Sequence, residues 1–372
     1  MIEDPRIRAL ARNLVGYSCR VQPGENVLIE ANGVDYVLVA ALVEEIYKAG
    51  GKPYVTLKDS RIERKLLMGM QPEHAREMAD MDGYRMDRMQ AYIGLRGGDN
   101  AYETSDVPAP QMQAYDTEYA HPVHHERRVK HTKWVILRYP TQGMSAMSAM
   151  STEAFEDLYL QVCTLDYTKM DEAMTPLVEW MNRTDRVRIV GPDTDLTFSI
   201  KGIGAVKCSG LRNIPDGEVY TAPVRDSVNG VIHYNVPTGK NGKKFEDIRL
   251  VFRDGKIVEA TCNDTDAINR IFDTDEGARY VGEFALGVNP YITRAMGDIL
   301  FDEKISGSIH FTPGCCYDDA DNGNRSAIHW DLVLVQTAQA GGGEIYFDDV
   351  LVRKDGRFVP PALQGLNPEN LA

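Results

Sequence analysis

The apolar residues in the first half of the chain follow helical and strand spacings in turn. A helical spacing that begins at Ile7 leads into an apolar run over residues 26–31, which predicts a strand. A second helical face ends at Gly50 and Gly51, where a helix stop is expected, and residues 53–57 resume as a strand. This βαβ order favours a parallel sheet with helices on its faces. Two further strands of the same sheet are predicted at residues 91–95 and 134–138.

The spacing of apolar residues changes in the second half of the chain, where apolar and polar residues alternate as in antiparallel strands. Residues 187–200 alternate on both sides of a turn and predict a hairpin. A second hairpin is predicted around Asp254 and Gly255, and a third around Asp355 and Gly356. Helices are predicted at residues 152–166, 170–181, 266–272 and 292–300.

Together these patterns predict a chain of two domains. Its 372 residues also exceed the roughly 250 to 300 that a single core usually supports. The predicted fold class is α/β plus α+β. It comprises a parallel-sheet α/β domain over residues 1–150, a helical connection over 151–185, and a mixed, largely antiparallel domain over 186–372.

Charge and composition narrow the classes of function. The formal net charge of −14 disfavours a polyanionic partner such as nucleic acid or an anionic membrane surface. No apolar stretch approaches the roughly 20 residues that cross a bilayer, and the start of the chain lacks the features of a signal peptide. The 6 cysteines show no CxxC spacing, so neither a zinc knuckle nor a disulfide framework is predicted. We therefore expect a cytoplasmic protein.

Residues 310–331 hold the densest group of reactive side chains, including histidines, carboxylates and a tyrosine. Within this stretch His329 and Asp331 are two positions apart, and residues i and i+2 of a strand point to the same face. An imidazole and a carboxylate on one face can bind the same metal ion. His310 ends a short strand-like run, and the loop that follows can return the chain to this pair.

Two glutamates upstream extend this candidate site. Glu218 follows a Pro-Asp-Gly turn, and Glu283 lies in an otherwise apolar segment, where a carboxylate is costly to bury without a cation. A hydrolytic site with two divalent ions uses imidazole nitrogens and carboxylate oxygens, and one carboxylate usually bridges the ions. Taken singly, each of these residues is more often structural than a ligand. An H-x-D pair before an apolar run is also typical of a strand with one polar edge.

Three segments resemble a known family in their order and spacing. They are PDGEVYTAP around Glu218, YVGEFALGVNP around Glu283, and the stretch from His310 to NRSAIHWDL. Through them the chain resembles the thermophilic metallo-aminopeptidases of the aminopeptidase T and aminopeptidase S type. The likeness extends to YSCRVQPGENVLIEANG, AGGKPYVTL and YPTQGMSAMSAM, so it covers most of the chain. The sequence departs from the usual family pattern over residues 311–316, directly after the first histidine.

The resemblance implies a homodimeric, metal-dependent aminopeptidase that removes single residues from the amino terminus of peptides. It implies two divalent metal ions, which can be zinc, cobalt, manganese or magnesium. It also implies that Tyr317 lies close to the metals. As a mechanistic hypothesis, Glu283 or Glu218 accepts the proton of the attacking water, and Tyr317 either donates a hydrogen bond to the tetrahedral oxyanion or is a packed aromatic near the site. The metal ligands that the resemblance implies are Glu218, Glu283, His310, His329 and Asp331.

Two alternatives remain open at this point. His310, His329 and Asp331 alone form the two-histidine, one-carboxylate set that suits non-haem iron(II), so one alternative is a ring-cleaving dioxygenase on the same scaffold. The presence of both glutamates favours the hydrolase. The other alternative is a non-catalytic metal- or peptide-binding protein, for which the loss of at least one ligand would be expected. Four histidines between residues 121 and 131 lie outside the C-terminal region and are not expected to take part in catalysis.

Overall fold

The computed structural model describes residues 4–100, 102–240 and 243–372. The chain divides into two compact units. The first unit is Met1–Thr164 with Gly210–Pro215, and the second is Leu165–Ser209 with Asp216–Ala372. A short stretch that follows the first part of the second unit therefore belongs to the first unit.

Helices and strands occur along the whole chain. The α-helices of the described residues are α1 Pro5–Arg12, α2 Tyr36–Lys48, α3 Ser60–Met68, α4 Pro72–Met86, α5 Ala109–Tyr115, α6 Gln142–Met147, α7 Thr152–Cys163, α8 Tyr167–Met181, α9 Thr265–Phe272, α10 Ile299–Asp302 and α11 Pro368–Leu371. Two π-helical segments are Asn13–Ser18 and Asp116–Val129, and four 3-10 turns are Glu276–Arg279, Asp318–Ala320, Ala338–Ala340 and Pro361–Leu366. The strands are β1 Asn26–Asn32, β2 Lys52–Lys58, β3 Ala91–Arg96, β4 Lys133–Arg138, β5 Arg186–Gly191, β6 Thr194–Ser199, β7 Val206–Cys208, β8 Asn213–Ile214, β9 Glu218–Thr221, β10 Asn229–His233, β11 Thr238–Lys240, β12 Lys243–Phe245, β13 Arg249–Arg253, β14 Lys256–Thr261, β15 Val281–Gly287, β16 Ser308–Pro313, β17 Val333–Val335, β18 Glu344–Phe347, β19 Val350–Lys354 and β20 Arg357–Phe358.

The first unit is built on a parallel sheet in the order β2-β1-β3-β4-β8. Strand β1 is buried at every residue except Asn26, as expected for a strand with helices on both faces of its sheet. Its parallel pairing with β2 and β3 confirms the βαβ arrangement that the sequence predicted. The edge strand β8 is only two residues long, which is too short for a hydrophobic period to reveal.

Two antiparallel sheets of the second unit pack face to face, and β11 and β12 form a further, two-stranded sheet. The larger has the order β14-β13-β10-β6-β5-β18-β19-β20, and the smaller has the order β17-β16-β15-β9-β7. Phe198 on β6 contacts Phe284 on β15 and Phe311 on β16, with ring centroids 5.0 Å apart in each pair. Successive strand residues point to opposite faces, so Glu283 and His310 lie on the other face of the smaller sheet. The aromatic core therefore fixes which side chains are presented to the site.

The three hairpins predicted from the sequence are present as β5-β6, β13-β14 and β19-β20. The predicted fold class, α/β plus a largely antiparallel α+β region, is confirmed. The predicted domain ranges 1–150, 151–185 and 186–372 stay a prediction. None of the described helices combines the length and the apolar character that a membrane crossing requires.

The helix predicted over residues 292–300 is wrong. Only α10 forms at the end of this range, and residues 292–298 are irregular. Gly297 has a φ of +75°, which interrupts a right-handed helix. The Asp302 carboxylate also accepts hydrogen bonds from the backbone N–H groups of Met296 and Gly297. Side-chain acceptors therefore satisfy backbone donors that a helix would have paired internally.

We expect Phe198→Ala to lower the free energy of unfolding of the second unit by about 3–5 kcal/mol, because it empties the centre of the core between the two sheets. Urea unfolding followed by circular dichroism measures this loss. The control is Val258→Ala on β14, where the side chain is 50% exposed and a loss of only about 0.5 kcal/mol is expected. Equal losses for the two variants would contradict the packing described here.

Candidate metal centre

Three neighbouring strands bring the first three predicted ligands together. Strand β15 lies between β16 and β9, and its Ala285 is paired with His310 on β16. Glu218 begins β9 opposite Gly287, two positions from Ala285, so its side chain lies on the same face of the sheet as those of Glu283 and His310. As a result the His310 Nε2 atom is 3.2 Å from Glu283 Oε1 and 3.6 Å from Glu218 Oε2.

The His329 and Asp331 pair joins them from outside the named strands. The sequence placed this pair on a strand, but β17 begins only at Val333, and His329 forms a single bridge with Gly314. Gly314 has a φ of +114°, and a Cβ atom there would lie 2.1 Å from the carbonyl oxygen of Ile328. A glycine is therefore required where the two segments approach, although the backbone remains extended enough for His329 and Asp331 to share one side.

The second histidine reaches the same glutamate as the first. The His329 Nε2 atom is 3.2 Å from Glu283 Oε2 and 3.2 Å from Asp331 Oδ1. The Thr312 hydroxyl donates a hydrogen bond of 2.8 Å to Asp331 Oδ1 and holds that carboxylate in place. Each oxygen of Glu283 thus faces a different histidine, and this carboxylate lies between two groups of potential ligands, Glu218 with His310 and His329 with Asp331.

A backbone contact orients the His329 ring. The Nδ1 atom lies 2.7 Å from the carbonyl oxygen of Cys315, which can only accept a hydrogen bond, so Nδ1–H is the donor. This contact directs Nε2 toward the carboxylates. Histidine ligands of metal ions are commonly fixed in this way, because the outer hydrogen bond selects the tautomer and the ring orientation.

The site contains buried polar atoms whose only contacts are ion pairs. Within the part of the chain that the structure describes, Glu218 Oε2 and His329 Nε2 are buried and make no hydrogen bond of good geometry, although Glu218 Oε2 lies 3.6 Å from His310 Nε2 and His329 Nε2 lies 3.2 Å from Glu283 Oε2. A buried carboxylate oxygen without a well-formed hydrogen bond is costly, and a divalent cation removes that cost. Carboxylate oxygens and imidazole nitrogens are also the ligands that zinc, manganese and related ions accept. The residues present therefore fit a metal centre.

Sequence reasoning missed two further residues of this site, Glu303 and Lys304. Glu303 offers a ligand atom within 4.8 Å of those of His310 and Asp331. Lys304 is buried next to it, and its Nζ atom is 2.7 Å from Glu218 Oε1. Both follow α10, just beyond residues 292–300, where the sequence pattern predicted a helix. The adjacent Glu-Lys pair before the strand of His310 was the available signal.

The concentration of charge shifts the pKa values of the two histidines. Burial alone would lower the pKa of His310, but Glu218 and Glu283 raise it to about 10. Burial acts in the same direction on His329, yet Asp331 and Glu283 raise its pKa to about 11. In return, the histidines hold the pKa of Asp331 well below its usual range despite its burial. Protons on these rings balance the carboxylates as a metal ion would.

The pKa of Glu303 is raised, whereas the pKa of Asp331 is lowered. Burial raises the pKa of Glu303 to about 8, with Glu218 adding to this effect and Lys304 opposing it. The ion pair with Lys304 therefore does not fully offset the cost of burying this charge, and a further cation near the carboxylate would favour its ionised form.

Tyr317 lies at the edge of the site. Its ring centroid is 4.7 Å from that of His329, and the residue is 47% exposed. Desolvation of the hydroxyl and the negative charge of Glu283 and Asp331 raise the pKa of Tyr317, so the phenol keeps its proton at neutral pH. It is therefore available as a hydrogen-bond donor.

The other histidine-rich segment forms no comparable centre. His121, His124 and His125 lie on the π-helical segment Asp116–Val129 of the first unit. None of the ligand groups found among the described residues includes them.

This geometry is typical of a metal-binding protein whose centre combines histidines with carboxylates. The sequence profile described as thermophilic metalloprotease (M29) matches residues 3–358. The chain therefore belongs to the M29 thermophilic metalloprotease family, and that family implies a divalent metal cofactor.

A characterised relative agrees with this assignment. Aminopeptidase PepS of Streptococcus thermophilus is 25% identical over 410 residues, which cover 94% of this chain and 95% of the relative. The prediction of a metal-dependent peptidase of the aminopeptidase type is confirmed at the level of family and enzyme class.

Two solved structures share the fold. AmpT from Thermus thermophilus has a TM-score of 0.78 at 22% identity and covers 96% of this chain and 99% of its own. The 2,5-dihydroxypyridine dioxygenase of Pseudomonas putida has a TM-score of 0.62 at 14% identity and covers 98% and 100%. At these identities the likeness concerns the fold alone, so the second structure shows a common scaffold and does not favour ring cleavage.

We expect metal binding to release protons from His310 and His329. Their pKa values of about 10 and about 11 mean that both rings are protonated at pH 7.5 in the metal-free protein, whereas a ligating imidazole must be neutral. Affinity should therefore rise with pH, by about tenfold per pH unit for each proton released. Calorimetric titration with zinc in buffers of different ionisation enthalpy measures the release. Binding heats that do not depend on the buffer would contradict it.

Proposed function

We propose that this metalloprotease removes single residues from the amino terminus of peptides and works with two divalent ions. The observation that carries the proposal is the position of Glu283, whose two oxygens lie 3.2 Å from Nε2 of His310 and of His329. A carboxylate placed between two histidines is suited to be a ligand common to both ions. The full ligand set that we propose is Glu218, Glu283, His310, His329 and Asp331, with Glu303 as a further candidate.

The chemistry that bound divalent ions supply is Lewis acidity, which activates water and polarises the scissile carbonyl. Zinc, cobalt, manganese and magnesium are all compatible with these ligands. The side chains of the chain itself have three tasks: to hold the ions, to move a proton, and to stabilise the oxyanion.

The proton of the attacking water must be accepted by a glutamate with an oxygen that is not already held by other side chains. Both oxygens of Glu283 face histidines, whereas Glu218 has one oxygen on Lys304 and one without a hydrogen-bond partner. The free oxygen of Glu218 can bind an ion or accept a proton, but it cannot do both at once. Either role places it within reach of the reacting groups, as general acid–base catalysis requires.

Tyr317 completes the proposed machinery as a hydrogen-bond donor to the oxyanion. Its high pKa keeps the phenol protonated, and its ring lies against His329 at the exposed side of the site. Donors that face the position where charge develops are among the largest contributions to acyl-transfer catalysis.

The negative charge around the candidate centre favours substrates with a free amino terminus. The candidate centre is rich in carboxylates, and Asp318, Asp319 and Asp321 add negative charge beside Tyr317. A positively charged α-amine is attracted to such a surface, whereas an acetylated terminus is not. Peptides with a free amino terminus are therefore the proposed substrates.

We expect the chain loaded with zinc, cobalt or manganese to hold about two ions and to release amino-terminal residues from short peptides. Glu283→Gln should reduce kcat/KM by at least about 10²-fold, because it removes the charge shared by both ion positions. Metal analysis together with release of p-nitroaniline from leucine p-nitroanilide measures both quantities. A peptide with an acetylated amino terminus should not be cleaved.

Matched variants sharpen this test. Glu259→Gln changes a glutamate that is paired with Arg249 at the surface, so it should leave metal content and activity unchanged. Glu218→Gln separates the two roles of Glu218, since a loss of metal marks a ligand and a loss of kcat with full metal content marks a proton acceptor.

A single bound iron with dioxygen-dependent ring cleavage of a dihydroxypyridine would instead support the dioxygenase. Metal or peptide binding without turnover would support a binding protein.

We further propose that the protein is a cytoplasmic homodimer, as the resemblance and the composition of the sequence suggest. Light scattering coupled to size-exclusion chromatography should give twice the chain mass of 41.6 kDa. A mass of one chain over the concentration range used for the activity assay would contradict the dimer.

A further inference from the structure

A fully buried lysine stands at one side of the candidate metal centre. The Lys304 side chain is 1% exposed, and its Nζ atom lies 2.7 Å from Glu218 Oε1 and 3.8 Å from Asp216 Oδ1. It also forms an ion pair with Glu303. One ammonium group therefore contacts two carboxylates of the centre, Glu218 and Glu303, and lies near a third.

The backbone holds this lysine in a fixed position. The Lys304 N–H group donates to the carbonyl oxygen of Phe301 at the end of α10, and the Lys304 carbonyl accepts from the Asn289 N–H group, each at 3.0 Å. Asn289 in turn bridges to Ile305. The segment is thus anchored both to α10 and to the chain that follows β15.

The ammonium group occupies a place that could otherwise hold a metal ion. Cys208, Asp216 and Glu218 offer ligand atoms within 4.8 Å of one another, as a metal site requires. Lys304 contacts Glu218 and lies near Asp216, so this group already has its cation. Its contacts with Glu218 and Glu303, and the nearby Asp216, provide the negative charge that a buried ammonium group requires.

The two groups of potential ligands, Glu218 with His310 and His329 with Asp331, differ in how a lysine contacts them. The lysine next to His329 is Lys240. Its Nζ atom donates a hydrogen bond of 3.2 Å to the backbone carbonyl of His329 and not to a carboxylate. Its charge acts on Asp331 from a partly exposed position. The charge of Lys304, by contrast, acts on Glu218 from a fully buried position, where screening is weak.

We propose that Lys304 makes the two ion positions unequal, so that the ion held by Glu218, Glu283 and His310 binds more weakly than the ion held by Glu283, His329 and Asp331. This inference rests on the two-ion centre proposed above. Two effects act in the same direction. Lys304 occupies Glu218 Oε1 and leaves that residue one oxygen for an ion, and its positive charge repels a divalent cation on the same carboxylate.

The test is a zinc titration of the chelator-stripped protein in competition with a chromophoric chelator, which gives the number of ions and their Kd values. The wild-type protein should show two Kd values that differ by about tenfold or more. Lys304→Met removes both the charge and the hydrogen bonds, and Lys304→Gln removes the charge but keeps a donor for Glu218. Both variants should tighten the weaker site by about tenfold or more and bring the two values closer together.

Lys240→Met is the matched control, because it removes a lysine charge from the His329 side. It should leave the Kd of the weaker site unchanged. Two equal Kd values in the wild-type protein would overturn the inference and leave the two-ion centre intact. Weaker binding in Lys304→Met with normal binding in Lys304→Gln would also overturn it, because the lysine would then act only by orienting Glu218.

The number of ions separates this inference from the proposed function. One ion in the wild-type protein and two in Lys304→Met would support the inference in its strongest form, with the ammonium group in place of the second ion. One ion in every variant would overturn both the inference and the two-ion centre. The wild-type titration decides between equal and unequal sites by itself, so the test stands even if a Lys304 variant does not fold.

Discussion

The second unit depends on the balance of charge around a group of buried carboxylates. Burying an ionised carboxylate without compensation costs several kcal/mol. Here Asp216, Glu218, Glu283, Glu303 and Asp331 lie close together, and Lys304 supplies one permanent positive charge. The histidines supply more only while they are protonated. The remaining demand for positive charge is what makes the cluster a candidate site for metal ions.

The strands that carry these acids have two opposite tasks. On β15 and β16, Phe284 and Phe311 pack into the core between the sheets, while Glu283 and His310 on the alternate positions face the site. The same hydrogen-bonded register therefore sets both the aromatic contacts and the distance between the ligands. The pairing of β15 with β16 therefore determines both the stability of the core and the distance between Glu283 and His310.

Much of the fold and part of the candidate site could be predicted, because they depend on the spacing of residues that are close together in the sequence. The parallel strands, the hairpins and the isolated glutamate in an apolar strand each carry a short-range signal, and the order of the motifs around Glu218, Glu283 and His329 supplied the rest. The contribution of Glu303 and Lys304 could not be predicted. They follow a segment whose apolar spacing resembles a helix, whereas its real course is set by Gly297 and by the Asp302 carboxylate. Lys304 and Glu218 are 86 residues apart in the sequence. A contact over such a distance produces no recurring spacing of residues from which it could be predicted.

The alternation of faces in β15 and β16 also has a consequence for how the protein can change over evolution. Because the side-chain period of a strand is two, inserting or deleting one residue there would turn the phenylalanines toward the ligands and the ligands toward the core. Such a change would disturb folding and the candidate site together. The loop between Gly314 and Ile328 is not bound to a strand period, so a change in its length would leave the two faces of β15 and β16 as they are. We therefore expect substrate preference to be altered more readily by changes in that loop, beside Tyr317, than by changes in the paired strands.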